Sequence, residues 1–145
     1  MRVVLQRTKR AKCTVNDKIT GEIGRGFLVL AGFTGGDDEA TLKRMAKKIV
    51  NLRVFPDEAG KMNLSIRDIG GAILSISQFT LYANTNEGNR PSFTDSLNPN
   101  DAEKLYHRFN GLLSEYGIGV EVGFFGAHME IDLINDGPVT IMLEF

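Results

Sequence analysis

Two short segments carry residue types that could do chemistry together. Ser77-Gln78-Phe79-Thr80 sets a hydroxyl, a primary amide, an aromatic face and a second hydroxyl side by side. The amide can donate to a carbonyl oxygen, and the hydroxyls can donate or accept. The ring can stack on a base or another planar group. Because the segment follows the apolar run Ala72-Ile73-Leu74-Ser75-Ile76, it is either a strand that turns polar at its exit or one wall of a cleft. Asn135-Asp136-Gly137-Pro138-Val139-Thr140 offers backbone with little side chain. Gly permits unusual dihedrals, and Pro fixes φ and removes an N–H donor. Alone, such a pair is ordinary turn punctuation. Gly88-Asn89-Arg90-Pro91-Ser92-Phe93 is either a surface loop or the flank of a cleft. In the second case Arg90 would be free for a phosphate or carboxylate.

A conventional catalytic set is missing. There is one cysteine, Cys13, in an N-terminal strand pattern that suits a small buried hydrophobe. Of the two histidines, His107 falls on a helix surface and His128 in a turn, and no nucleophile-elbow motif accompanies either. His128, Glu130 and Asp132 alternate along one strand, but three ligands on a flat strand rarely converge on one ion. No metal site and no cofactor are expected. Asp57 to Asn63 reads as a turn without calcium-loop spacing, and no Gly-rich phosphate loop occurs.

The elements that must position these residues are legible in outline. The chain has 145 residues, 42% hydrophobic and 24% charged, which suggests one domain over 1–145 with one ordinary core. No run reaches the length of a membrane span, and the opening residues read as a strand, so no secretory signal is expected. A single cysteine excludes an internal disulfide, so the cytoplasm is the expected compartment. The formal net charge is -1, from 17 basic and 18 acidic residues. That disfavours a protein that coats nucleic acid through a basic field, though not one that grips a single-stranded end in a pocket.

Apolar residues at three-and-four spacing predict a helix from Asp38 to Asn51, through Leu42, Met45, Ala46, Ile49 and Val50. A second helix is predicted from Pro99 to Tyr116, with Asn98 as N-cap and Gly117 as the stop. Strands are expected at Arg2–Arg7 and Ala11–Val15 around a short turn. Others fall at Lys18–Ile23, Gly26–Phe33, Ala72–Tyr82, Val120–Phe125, Met129–Ile134 and Val139–Phe145. The class is therefore α+β: a strongly curved mixed or antiparallel sheet, or barrel-like core, covered by two main helices.

Taken in order, five pieces resemble the D-aminoacyl-tRNA deacylase family over essentially the whole chain. They are Leu5-Gln6-Arg7, Ser77-Gln78-Phe79-Thr80-Leu81-Tyr82, Gly88-Asn89-Arg90-Pro91-Ser92-Phe93, Phe125-Gly126-Ala127-His128-Met129 and Asn135-Asp136-Gly137-Pro138-Val139-Thr140. One departure is His128, where the family pattern leads one to expect an acidic residue. The resemblance implies the family's fold and an ester hydrolase. Its substrate would be an aminoacyl-tRNA, cleaved where a D-amino acid, or mischarged glycine, joins the 3′-terminal adenosine.

The resemblance also implies a homodimer with active sites at the interface, and no membrane or DNA partner. Gly137-Pro138 would be cis and would enter the partner's pocket as a backbone filter that rejects L-aminoacyl groups. Arg7 would brace that loop, and Val139 and Thr140 would complete it. Ser77 and Gln78 would shape the pocket, and the Phe79 and Thr80 main-chain N–H groups would face the ester carbonyl. Phe79, Met129, Phe125 and Ala127 would line the adenosine site. Thr80 is the nucleophile candidate by side chain, yet an unaided hydroxyl is weak. Water attack assisted by the substrate's 2′-OH, with Thr80 positioning, is favoured. The rival readings are a non-catalytic module that binds tRNA 3′ ends and an unrelated small-molecule esterase using Cys13 or Ser77.

Overall fold

In a computed structural model describing residues 1–145, the chain opens on one long strand, β1, Arg2–Val15. Two strands around a turn were expected there. The register against the last strand instead slips between Gln6 and Thr8 and again between Thr8 and Arg10. Val3 and Leu5 belong to the main core, whereas Ala11 and Cys13, also odd-numbered, belong to a smaller one. A regular pleat keeps such positions on one face, so a bulge between them has shifted the alternation. The bulge therefore bends the strand without ending it.

A tight turn at Asn16 and Asp17, with φ of 48 and 60, leads into β2, Lys18–Ile23, antiparallel to β1. β3, Gly26–Gly32, is antiparallel to the first half of β1. Helix α1, Glu39–Asn51, follows, and the Asp38 side chain caps it by accepting from the Thr41 N–H at 2.8 Å. Its buried residues are the five that the spacing predicted.

The Asp57–Asn63 turn closes a small hairpin of β4, Phe55–Pro56, and β5, Met62–Leu64, too short to leave a period in the sequence. β6, Ala72–Ser77, lies parallel to β3. The strand expected to reach Tyr82 stops at Ser77, and Phe79–Tyr82 winds into one turn of 3₁₀ helix. Helix α2 runs Pro99–Ser114 from the predicted Asn98 cap, and Gly117 takes a positive φ in the turn that follows it. β7, Gly119–Val122, is shorter than expected and parallel to β6. The two C-terminal strands are one, β8, Glu130–Glu144, because β1 pairs with it on both sides of the Gly-Pro segment.

The strand order is β2-β1-β3-β6-β7, with β8 on the other edge of β1. The sheet is mixed and curls until its two ends meet. A Cβ on Gly21 of β2 would lie 2.9 Å from the Val122 carbonyl oxygen of β7, so only glycine lets these strands approach. The architecture is the expected α+β, a nearly closed barrel with two helices on its outer face. Each side of the sheet has its own core. α1 and α2 cover Phe27, Val29 and Ala31 on one side, and Leu28 points into a smaller cluster with Ala11, Cys13, Ile23, Leu74 and Ile76. β3 is buried on both faces, which is why its sequence is apolar without alternation. No helix is long and apolar enough to cross a membrane.

Side chains tie the 3₁₀ turn and β6 to their neighbours. The Tyr106 hydroxyl of α2 donates to the Ser75 carbonyl at 2.7 Å. Arg2 donates to the Leu81 carbonyl at 2.5 Å, and its guanidinium lies 4.7 Å over the Tyr82 ring. Burial, helped by the Asp37 charge and opposed by Arg2, pushes the Tyr82 phenol up to about 12. The folded state then keeps a proton that the unfolded chain releases near pH ~10. The stability this gives is complete below about pH 10 and is lost as pH rises through the folded value. Tyr82→Phe should therefore flatten the alkaline limb of a Tm profile between roughly pH 10 and 12. An unaltered limb would show that the proton is not held there.

Candidate active site

A cavity of about 360 Å³ opens where β3 and β6 end. Its walls come from four places. Ala31, Gly32 and Phe33 lie at and just beyond the end of β3, and Ile76, Ser77, Gln78 and Phe79 continue from β6 into the 3₁₀ turn. Leu97, Pro99 and Ala102 belong to the start of α2, and Phe125 to Met129 with Ile131 close the far side. Most of the lining is apolar, with a few polar groups, as in a site that holds a flat or greasy group and orients it.

Gly32 sets the floor: a Cβ there would fall 2.9 Å from the Gln78 carbonyl oxygen. The Gln78 N–H donates to the Ala31 carbonyl at 2.8 Å, which fixes the turn on the end of β3. Phe79 is 57% exposed, and its ring meets Phe93 edge-on with centroids 5.0 Å apart. The free face of that ring is at the cavity rim. Phe125 rests on Tyr106 at a centroid distance of 5.8 Å, so the far wall is anchored to α2.

The turn also leaves main-chain donors available. A helical turn does not satisfy its own first N–H groups, and no other protein group accepts those of Phe79 and Thr80. The Gln78 side-chain amide donates to the Thr80 hydroxyl oxygen at 2.5 Å. That occupies an acceptor position on Thr80 and leaves its own proton free to donate. No base touches the hydroxyl, and Thr80 itself is exposed outside the cavity lining.

The Gly-Pro segment lies elsewhere. Gly137-Pro138 is a cis peptide and both residues are exposed. Its base is fixed from two directions. Arg7, only 8% exposed, donates from Nε to the Asp136 carbonyl at 2.9 Å and from Nη1 to the Val54 carbonyl. The Asp136 carboxylate adds an ion pair at 3.6 Å. On the other side the Val139 N–H donates to Asn135 Oδ1 at 2.9 Å, and Val139 is buried in the main core. Asn135 and Gln6 both donate to the Thr140 hydroxyl, at 3.1 and 3.3 Å. Gly137 has φ of 140, and a Cβ on it would meet the Val139 side chain at 2.9 Å. The tip is thus bare backbone on a rigid base.

Of the residues singled out in the sequence, Ser77, Gln78, Phe79, Phe125, Ala127 and Met129 line one cavity. Arg7, Gly137, Pro138, Val139 and Thr140 form a second group at the tip. Ile131 is the last cavity residue on β8, and Gly137 is six positions further along. At a rise of about 3.3 Å per residue that is roughly 20 Å, so one chain does not bring its own tip to its own cavity.

Arg90 is exposed and is not part of the cavity lining. Cys13 is fully buried in the smaller core and unavailable as a nucleophile. Ser77 and His128 both line the cavity, with no hydrogen bond between them. Asp132 faces solvent and pairs with Arg10 at 3.1 Å, away from His128. Sequence reasoning passed over Gly32, Pro99 and Ala102. Gly32 interrupts an apolar run, which was the one available sign of a close approach; Pro99 and Ala102 looked like a helix start and a core position.

Comparison with known proteins bears on the family and the fold. Residues 4–144 match the family model described as D-Tyr-tRNA(Tyr) deacylase. Proteins named D-aminoacyl-tRNA deacylase from Deinococcus radiodurans and Halalkalibacterium halodurans are 54% and 51% identical, each over 99% of both chains. A solved structure described as c-Myc DNA Unwinding Element Binding Protein superposes with a TM-score of 0.94 at 41% identity, covering 100% of this chain and 99% of that one. A probable eukaryotic D-amino acid tRNA deacylase shares the fold, with a TM-score of 0.86 at 20% identity over 98% of this chain and 97% of its own. The family model and the named relatives define a class of hydrolases acting on ester bonds. The chain belongs to the D-Tyr-tRNA(Tyr) deacylase family.

The brace can be tested directly. Arg7→Ala leaves the Val54 and Asp136 carbonyls without their donor and should cost about 1–3 kcal/mol in denaturant unfolding. Arg7→Lys should recover little, since an ammonium cannot span two carbonyls as a planar fork does. A loss below ~0.5 kcal/mol for the alanine variant would mean that the tip is held by other contacts.

Proposed function

We propose that the chain hydrolyses the ester bond of D-aminoacyl-tRNA, releasing the free D-amino acid and tRNA, and that it also clears mischarged glycyl-tRNA. The observation that carries this reading is the cavity itself: an apolar slot walled in part by Phe79, in a turn whose Phe79 and Thr80 main-chain N–H groups have no protein acceptor. The 3′-terminal adenosine would lie in the slot against Phe79, Met129, Phe125 and Ala127. Ser77 and Gln78 would shape its polar end. The ester carbonyl would then face the Phe79 and Thr80 N–H groups. These would accept the charge that develops on oxygen as water adds, without reorganising. The substrate's own 2′-OH would assist the water. Thr80, held by Gln78 with no base beside it, would position the substrate and not attack.

Selection against L-aminoacyl groups would come from a second copy of the chain. The braced tip lies far from its own cavity, which supports an arrangement in which two copies exchange tips across an interface. Gly137 and Pro138 would present main-chain oxygens where an L side chain must go. This is specificity by exclusion, and it works whatever that side chain is. Glycine has nothing to exclude and would pass.

A second reading, an esterase using Ser77 with His128, has one point in favour: both line the cavity. It predicts hydrolysis of simple esters without RNA and inactivation by serine reagents.

The deciding measurement is amino acid release from matched D- and L-aminoacyl-tRNA. The D substrate should be faster by on the order of 100-fold, about 2.7 kcal/mol at the transition state. Equal rates would overturn chiral editing. Thr80→Ala should keep its rate within about ten-fold of the parent, whereas loss of a covalent nucleophile costs on the order of 10⁴ or more. A complete loss with the fold intact would assign Thr80 as the nucleophile.

A further inference from the structure

Helix α1 buries Leu42, Met45, Ala46, Ile49 and Val50 and turns its other face to solvent. That face carries Lys43, Arg44, Lys47 and Lys48, and Arg53 follows just after the helix end. In a chain of net charge -1 this is a concentrated patch. Lys43 is neutralised by Glu39 at 3.3 Å. Arg44, Lys47, Lys48 and Arg53 form no ion pair, and together with Asn51, Leu52 and Phe145 they line one open groove. The Arg44 guanidinium lies 4.1 Å over the Phe145 ring, which fixes one end. Arg53 carries the track on to Arg67 beside Asn51 and Ser65. The acidic group on the track is Asp68. Hydrogen bonds from Ser65 hold its carboxyl below the usual range, and Arg67 and Arg53 lower it further.

The shape and charge suit a polyanion better than a small ion. From Arg44 to Arg53 the helix and its end extend roughly 14 Å at ~1.5 Å per residue. That equals the axial length of about four phosphates of one duplex strand. Such cations bind a sugar–phosphate backbone without reading its sequence. The track also ends in a particular place. Val54, next to Arg53, gives its carbonyl to Arg7, the residue that holds Asp136 at the base of the Gly137-Pro138 tip.

We propose that this face of α1, from Arg44 to Arg53, is the docking surface for the sugar–phosphate backbone of the substrate RNA beyond its 3′ end. The inference rests on the proposed function, because the tip reads an acyl group only if the RNA that carries it leaves beside the tip. The 3′ end would sit in the cavity of one copy, and the stem would lie along α1 of the copy that supplies the tip.

The test uses Lys47→Ala/Lys48→Ala, two exposed residues outside the cavity and outside every ion pair. Binding of uncharged tRNA is followed by fluorescence anisotropy over a series of salt concentrations. The slope of log Kd against log salt should become shallower by about two. Turnover is then measured on full-length D-aminoacyl-tRNA and on D-aminoacyl-adenosine, which has no stem. The variant should raise KM for the full substrate about ten-fold at low salt and leave kcat/KM for the short one unchanged.

An unchanged salt slope, or an equal loss on both substrates, would overturn the docking surface. Wild-type protein that binds tRNA but releases no D-amino acid would overturn the proposed function alone. The anisotropy slope would still decide the docking surface, since it requires no turnover.

Discussion

Everything in this molecule is referred to one strand. β1 is hydrogen-bonded along both edges, to β3 and then β2 on one side and to β8 along most of its length on the other. A strand shared in this way cannot stay flat: its bulge near Thr8 and its twist are imposed on three neighbours at once. The curl that follows brings Gly21 onto Val122 and closes the barrel. Arg7 precedes that bulge, on the face of Val3 and Leu5, and its guanidinium donates to the Val54 and Asp136 main-chain oxygens. Fold closure and the bracing of the Gly-Pro tip thus both run through β1.

The cavity depends on a different economy of side chains. It lies where two parallel strands end and the chain must leave the sheet, the usual place for sites in parallel arrangements. Parallel pairing of β3 with β6 needs α1 as part of the crossover, and pairing of β6 with β7 needs α2. The helices therefore do more than cover the core. The start of α2 supplies Pro99 and Ala102 to the wall, and Tyr106 sets the height of β6 through the Ser75 carbonyl. Polar function is left to one short turn that the sheet no longer constrains.

The two helices were legible because capping residues and a 3.6-residue period state the same boundaries twice, as Asp38 with Leu42 to Val50 and Asn98 with Ala102 to Leu113. The segment Ser77 to Phe79 and the stretch Phe125 to Met129 could be picked out by residue type, and they do meet around one cavity. Other features left no local trace. Thr8, Lys9 and Arg10 look like a turn because a bulge and a turn use similar polar residues, and only pairing with β8 tells them apart. The stop at Ser77 falls at its pairing with Ala31, near the distant end of β3, and is not marked by Gln78 or Phe79. Arg90 sits in a loop whose composition suits binding and exposure equally.

One strand, β8, carries both the last wall residue of the cavity, Ile131, and the tip at Gly137. Between them Leu133 packs against the smaller core while Ile134 stays exposed, and Asn135 begins the fixed base of the tip. The interval is therefore a ruler marked in steps of two. Its length is fixed, because inserting or deleting one residue would exchange inner and outer faces and detach the tip from Arg7.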